Sequence, residues 1–198
     1  MVCLEPIYGL WRSRDHSVAG GAAGDTGILP METKITSLTP LTGARIGLRP
    51  WNRRRDRQQI DRWPPHIPAL PAHWLAAPDP LPAYTNRVSY AVDLLTLSPA
   101  DRMVGRISLR TDDVAGFPAS IGYVGIALHP GHLGKGIGTE ALTRFAEMCR
   151  IFGLADTLWL DVAAENIRAI RCYDQSGFVY VDSEWRGEYR YHIMMQSL

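Results

Sequence analysis

Gly134, Gly136 and Gly138 alternate with Lys135 and Ile137 directly after the apolar run Tyr123 to Leu128 and the breaker pair Pro130-Gly131. A residue without a Cβ lets backbone approach a ligand closely, and the unpaired N–H groups at a helix start carry partial positive charge. Strand, glycine loop and helix in this order predict a phosphate or pyrophosphate bound over Leu133, Gly134, Lys135, Gly136, Ile137, Gly138 and Thr139. Spacing excludes two other phosphate loops. A P-loop requires Ser or Thr after its Gly-Lys, whereas Lys135 is followed by Gly136. A dinucleotide fingerprint requires glycine where Thr139 stands and an opening strand near the N-terminus. His129 and His132 titrate near neutrality but flank a turn, and read as exposed loop residues. Glu140 falls in the first turn of the helix, where it complements the dipole.

The elements that must hold this loop follow from periodicity. Ile137, Ala141, Phe145, Met148 and Phe152 recur at helical spacing, and Gly153 supplies the stop. Upstream, Ala44 to Trp51 alternates Ile46 and Leu48 against Arg45 and Arg49, the pattern of a strand. Arg53 to Trp63 reads as a short basic helix whose charges form a solvated face; RNA contact is the weaker alternative. The proline-rich stretch Trp63 to Pro82 cannot be one regular element and reads as an aromatic-lined loop, a candidate acceptor wall. Arg87 to Leu95 and Met103 to Leu109 form a hairpin, and Asp112 to Ala119 leads into the strand before the glycine loop. Beyond Gly153 come a strand Thr157 to Val162, a helix Ile167 to Gln175 and a closing hairpin Phe178 to Trp185 and Glu188 to Met195. The order predicts an α/β domain with a mixed central sheet.

A chain of 198 residues with 46% hydrophobic content suits one domain, placed at 44–198 behind a loosely docked tail at 1–43, within which Met31 is a second candidate start. A net charge of +1 gives no global field for nucleic acid or membrane. Cys3, Cys149 and Cys172 are odd in number and lack metal-ligand spacing, which points to a reducing, cytoplasmic setting and no metal. No membrane span or signal peptide is expected.

The run Leu158-Trp159-Leu160-Asp161-Val162, followed by Asn166, Ala169-Ile170, Tyr173 and Gly177-Phe178, resembles the signature of the GNAT family of N-acetyltransferases. Gly136 and Gly138 match that family's Gln/Arg-x-x-Gly-x-Gly/Ala loop, with Leu133 standing where Gln or Arg is usual. The resemblance spans roughly residues 105 to 195 and is nearest in text to the branch acetylating ribosomal-protein N-terminal amines. It implies a GNAT-type, mostly antiparallel sheet with flanking helices, acetyl-CoA as co-substrate, no metal, and direct attack by a primary amine.

It also implies roles for particular residues. The fourth and fifth strands splay, leaving backbone near Ile126, Ala127 and Leu128 to pair with the pantetheine arm. Leu133 to Thr139 takes the pyrophosphate, and Asn166 bonds the cofactor arm or adjacent backbone. Tyr173 assists the departing thiolate. Tyr123 stands where many relatives carry glutamate, and Asp161 matches the acid of the ribosomal-protein branch and is the implied proton acceptor, with His129, His132 or water as alternatives. The implied partners are acetyl-CoA and an amine acceptor, either a protein N-terminus or a small molecule, with a homodimer left open and neither membrane nor nucleic acid. An α-amine is about 10% neutral at pH 7 and a lysine under about 0.1%, so a modest base suits the former. Aminoglycoside or polyamine acetylation would want an acidic wall, for which Asp79, Asp93, Asp112 and Asp113 are candidates. A catalytically silent acyl-CoA-binding module is the remaining alternative.

Overall fold

The computed structural model describes residues 41–42, 45–64, 87–112 and 121–198. Its strands are β1 (Leu41–Thr42), β2 (Ile46–Pro50), β3 (Arg87–Leu94), β4 (Met103–Asp112), β5 (Ile121–Leu128), β6 (Thr157–Ala163), β7 (Val179–Arg186) and β8 (Tyr189–Ser197). Its helices are α1 (Arg53–Ile60), α2 (Ile137–Phe152) and α3 (Ile167–Gln175). The strands form one sheet in the order β1-β2-β3-β4-β5-β6-β8-β7, antiparallel throughout except between β5 and β6. This is the mixed, mostly antiparallel α/β architecture expected. Leu41 and Thr42, inside the stretch read as a tail, pair with Leu48 and Gly47, so the sheet begins before residue 44. The proline-rich segment beyond residue 64 and most of the link between β4 and β5 lie outside the described residues.

Glycines fix the ends of α2. Gly136 caps its start at φ 75° and Gly153 its end at φ 58°, left-handed conformations that cost any other L-residue. Ala141, Leu142, Phe145, Met148 and Cys149 are buried against the sheet, where Phe145 meets Tyr90 edge to face. Phe145 and Leu142 each contribute on the order of 1.5–3 kcal/mol by that burial. Phe152, which the spacing put in the same stripe, is the last residue of the helix and 38% exposed.

Two ion-pair clamps tie helices to β2. The Glu140 carboxylate accepts from the backbone N–H groups of Arg45 and Ile46 at 3.0 and 3.3 Å and from Arg45 Nε at 2.9 Å, which fastens the first turn of α2. Within the basic run of α1, Asp56 is fully buried and takes both guanidinium nitrogens of Arg49 at 2.7 and 2.9 Å, plus the Asn52 N–H at 2.7 Å. Arg49 also donates to Asp93 at 2.9 Å. Arg53, Arg54 and Arg57 stay exposed, so the helix has the solvated face expected and one anchoring acid.

Burial alone would raise the Asp56 carboxyl, but Arg49, the Asn52 N–H and Arg55 outweigh it and hold the group below the ordinary range. Glu140 is likewise lowered, its three Arg45 and Ile46 bonds overcoming burial. A carboxyl depressed in the fold stabilises above its unfolded pKa of about 4, and that stability is lost as pH falls through the folded value. Thermal melts from pH 7 to 3 should therefore show a steep acid loss in the wild type. Asp56→Asn should melt several degrees lower at pH 7 and follow a flatter acid curve. Parallel curves for the two proteins would show that Asp56 contributes no such linkage.

Candidate active site

The parallel ladder between β5 and β6 is three residues long: Ile121 with Thr157, Gly122 with Leu158, Tyr123 with Trp159. Beyond it β5 stays with β4 as far as Leu128, while β6 stays with β8 as far as Ala163. Each strand is held by its own half of the sheet, and a fork opens between them. In an antiparallel ladder alternate residues turn their N–H and C=O away from the neighbour. Among the described residues the ladder between β5 and β6 ends at Tyr123, so backbone of β5 over Ile126 and Ala127 borders the fork, and Leu128 closes the strand.

The glycine loop begins at the end of that strand. His129 N–H reaches back to the Val104 carbonyl at 2.8 Å, and Pro130–His132 form a single 3-10 turn. His129 Nδ1 accepts from the Gly131 N–H at 3.0 Å, and the ring of Trp63 meets the His129 ring at 5.4 Å. The histidines thus shape the loop. Gly134 and Gly136 have φ of 71° and 75°, whereas Gly138 is demanded by packing: a Cβ there would lie 2.9 Å from Cys172 Sγ. The first bond of α2 runs from the Glu140 N–H to the Gly136 carbonyl, so the N–H groups of Ile137, Gly138 and Thr139 have no helical partner. Ile137 buries its side chain and offers only this backbone group. The Thr139 hydroxyl faces Cys172 Sγ at 3.6 Å, and Lys135 Nζ folds back on the Gly131 carbonyl at 2.7 Å. Unpaired helix-start donors above an open, glycine-lined turn fit a pyrophosphate.

The fork carries a row of side chains that the sequence named only in part. Tyr123, Trp159 and Asp161 share one sheet face, and Tyr123 meets Trp159 edge to face with ring centres 4.7 Å apart. The guanidinium of Arg110, opposite Tyr123 on β4, lies 4.2 Å from the Tyr123 ring centre. Tyr123 donates its hydroxyl to Asp161 Oδ1 at 2.7 Å, and Arg186 of β7 donates to Asp161 Oδ2. The Asp161 side chain is 9% exposed. Burial, and then the adjoining carboxylate, push the Tyr123 phenol well above its ordinary range, so it remains a donor. Arg186 and Arg110 come from a hairpin and a neighbouring strand, and no local spacing marks either.

On α3, Asn166 is the N-cap, its Oδ1 accepting from the Ala169 N–H at 3.2 Å, so the side chain bonds adjacent backbone. Tyr173 packs against Phe178 and lies within electrostatic reach of Asp161 and Tyr123. Its hydroxyl makes no hydrogen bond among the described residues. Burial, then Cys172 and Asp161, raise its phenol as well. The candidate acids resolve differently: Asp93 is paired with Arg49, the side chain of Asp112 is undescribed, and Asp79 and Asp113 lie outside the described residues. Among the described residues, no helix is long and apolar enough to cross a membrane, and no cluster of three metal-binding side chains occurs.

This geometry has counterparts among solved structures. Aminoglycoside acetyltransferase AAC(6')-Ib with coenzyme A and kanamycin superposes at TM-score 0.59 and 20% identity, over 77% of this chain and 94% of that one. RimJ of Mycobacterium smegmatis with CoA-disulfide gives 0.52 and 14%, over 77% and 81%. The NatC complex bound to Gag peptide and CoA gives 0.54 and 16%, over 78% and 99%. At such identities the likeness speaks for the fold alone. Among curated proteins none matches the sequence. The sequence profile described as Acetyltransferase (GNAT) family matches residues 50–178, from the end of β2 through α3 and so across the whole fork and the glycine loop. With fold, fork and profile in agreement, the chain belongs to the GNAT family of acetyl-CoA-dependent acetyltransferases.

Proposed function

We propose that the protein transfers the acetyl group of acetyl-CoA to a primary amine, a protein N-terminal α-amine, by direct attack within the fork. The observation that carries the proposal is the contrast between two tyrosines: Tyr123 has its hydroxyl committed to Asp161, whereas Tyr173 keeps its own for a ligand. The β5 backbone beyond its ladder with β6 lines one side of the fork and bonds the pantetheine arm, and the start of α2 receives the pyrophosphate. Tyr173 donates to the sulfur on which charge builds as the thioester breaks. A thiol titrates near 8.5, below an ordinary phenol, and the raised Tyr173 widens that gap. The phenol therefore stabilises the departing thiolate by hydrogen bonding and keeps its proton.

The amine must lose a proton, and Asp161 is the carboxylate at the fork. Both its oxygens are engaged, so it accepts that proton only while sharing bonds with Tyr123 and Arg186. The same pairing supports a second reading, in which Asp161 holds Tyr123 and Arg186 in place. Asp161, the carboxylate at the fork, is paired with Arg186 and so offers a polycationic acceptor less negative charge, which supports a single α-amine over an aminoglycoside or polyamine.

Three measurements check this reading. Acetyl transfer to peptides with free N-termini should exceed transfer to aminoglycosides and polyamines, and the reverse order would move the protein to small-molecule acceptors. Tyr173→Phe should lower kcat by about 10² with KM for acetyl-CoA and Tm unchanged, and the wild type should show no alkaline fall from this group up to about pH 10. Retained turnover, or a lower Tm, would make Tyr173 a packing residue. For Asp161→Asn the rate defect should shrink between about pH 6 and 10 as solution supplies neutral amine. A constant ratio would leave Asp161 the anchoring role alone.

A further inference from the structure

Arg45 lies 90 residues before the glycine loop in sequence and against it in space. Its Nη1 donates to the Lys135 carbonyl at 3.0 Å, and its Nη2 lies 3.3 Å from the position a Cβ would take on Gly136. Glu140 fixes it from behind by accepting from both Nε and the backbone N–H. Of five guanidinium N–H donors, Glu140 takes the one on Nε and the Lys135 carbonyl one on Nη1, and the Nη2 edge toward Gly136 meets no acceptor among the described residues. The side chain is 47% exposed, and Glu140 only 17%, so the cation faces solvent and its counter-charge is tucked beneath. Lys135, the loop's own cation, is drawn back onto Gly131. The Leu133 side chain has no donor, and its backbone N–H is spent on the Pro130 carbonyl at 3.3 Å.

We infer that Arg45 is a cofactor-binding residue, a pre-oriented guanidinium that donates to a phosphate oxygen of acetyl-CoA beside the open N–H groups of Ile137, Gly138 and Thr139. The inference rests on the reading of the loop as the pyrophosphate site and adds the cation that the loop's own side chains do not present. Planar, charge-assisted donors suit phosphate better than an ammonium does, and here Glu140 and the Lys135 carbonyl hold the fork still before a ligand arrives. Because Glu140 offsets the charge, the effect comes from directed hydrogen bonds more than from long-range attraction.

The competing role for Arg45 is that of a strut that merely shapes the loop, and two substitutions separate the roles. Arg45→Met should weaken acetyl-CoA binding by calorimetry about tenfold or more, with Arg45→Lys in between and kcat at saturation nearly unchanged. KM for S-acetylpantetheine, which has no phosphate, should not move. Glu140→Gln keeps one of the two acceptor oxygens and loosens Arg45 without removing it, so acetyl-CoA affinity should fall clearly less than in Arg45→Met. Equal weakening in Arg45→Met and Glu140→Gln would mean a strut, and unchanged affinity in Arg45→Met would remove Arg45 from the site. If Arg45→Met does not fold, Arg45→Lys against Glu140→Gln makes the same comparison. Wild-type protein that binds S-acetylpantetheine as tightly as acetyl-CoA would overturn the reading of the loop itself, and this inference with it.

Discussion

The three-residue length of the parallel ladder between β5 and β6 is the constraint on which the site depends. β4 holds β5 over eight register pairs and β6 is held by β8 over seven, so each strand follows its own half of the sheet. Closing the fork would mean giving up one of those longer ladders. The cost of leaving β5 backbone without a strand partner is met by water or by a ligand that offers amides of its own. Tyr123 and Trp159 form the last rung, so whatever occupies the fork meets their side chains first.

A fork of this kind needs its two halves fixed relative to each other, and α2 does so as the crossover between them. Its buried face packs on the core, while Glu140 binds its first turn to the start of β2 across 95 residues of sequence. Farther along β2, Arg49 joins Asp56 of α1 to Asp93 of β3, so the half carrying β1 to β5 is laced by guanidinium and carboxylate. Arg186 does the equivalent for the other half, reaching from β7 to Asp161 on β6. Paired in this way, buried charges cost less than when alone, and removing one partner strands the other.

What was legible in the sequence was local. The C-terminal ends of α2 and α3 were readable because Gly153 and Gly177 adopt positive φ, a demand that glycine advertises. The alternation along β2 gave its buried face, but it gave Arg45 and Arg49 only as outward residues, with no hint that each would find an acid elsewhere. Gly138 looked like its two loop neighbours and has a different cause, the Cys172 sulfur of α3. Asp56 vanished into a run of arginines. Pairings over long sequence separations leave no periodic trace, and a chain read residue by residue shows the partners without the pairs.

That limitation bears on how a departure from a motif should be weighed. Leu133 and Tyr123 both depart from the family's usual text, and on the text alone the first subtracts a polar side chain and the second a carboxylate, which favours a silent binding module. In space each position has company. The turn beyond Leu133 lies beside the Arg45 guanidinium, and Tyr123 is joined to Asp161, with Arg110 across its ring. A donor at the loop and a carboxylate at the fork are functions of place, and strands adjacent in a sheet can supply them from any point in the chain. The two departures therefore argue for relocation of those groups more than for their loss, and they weaken the case for a silent module.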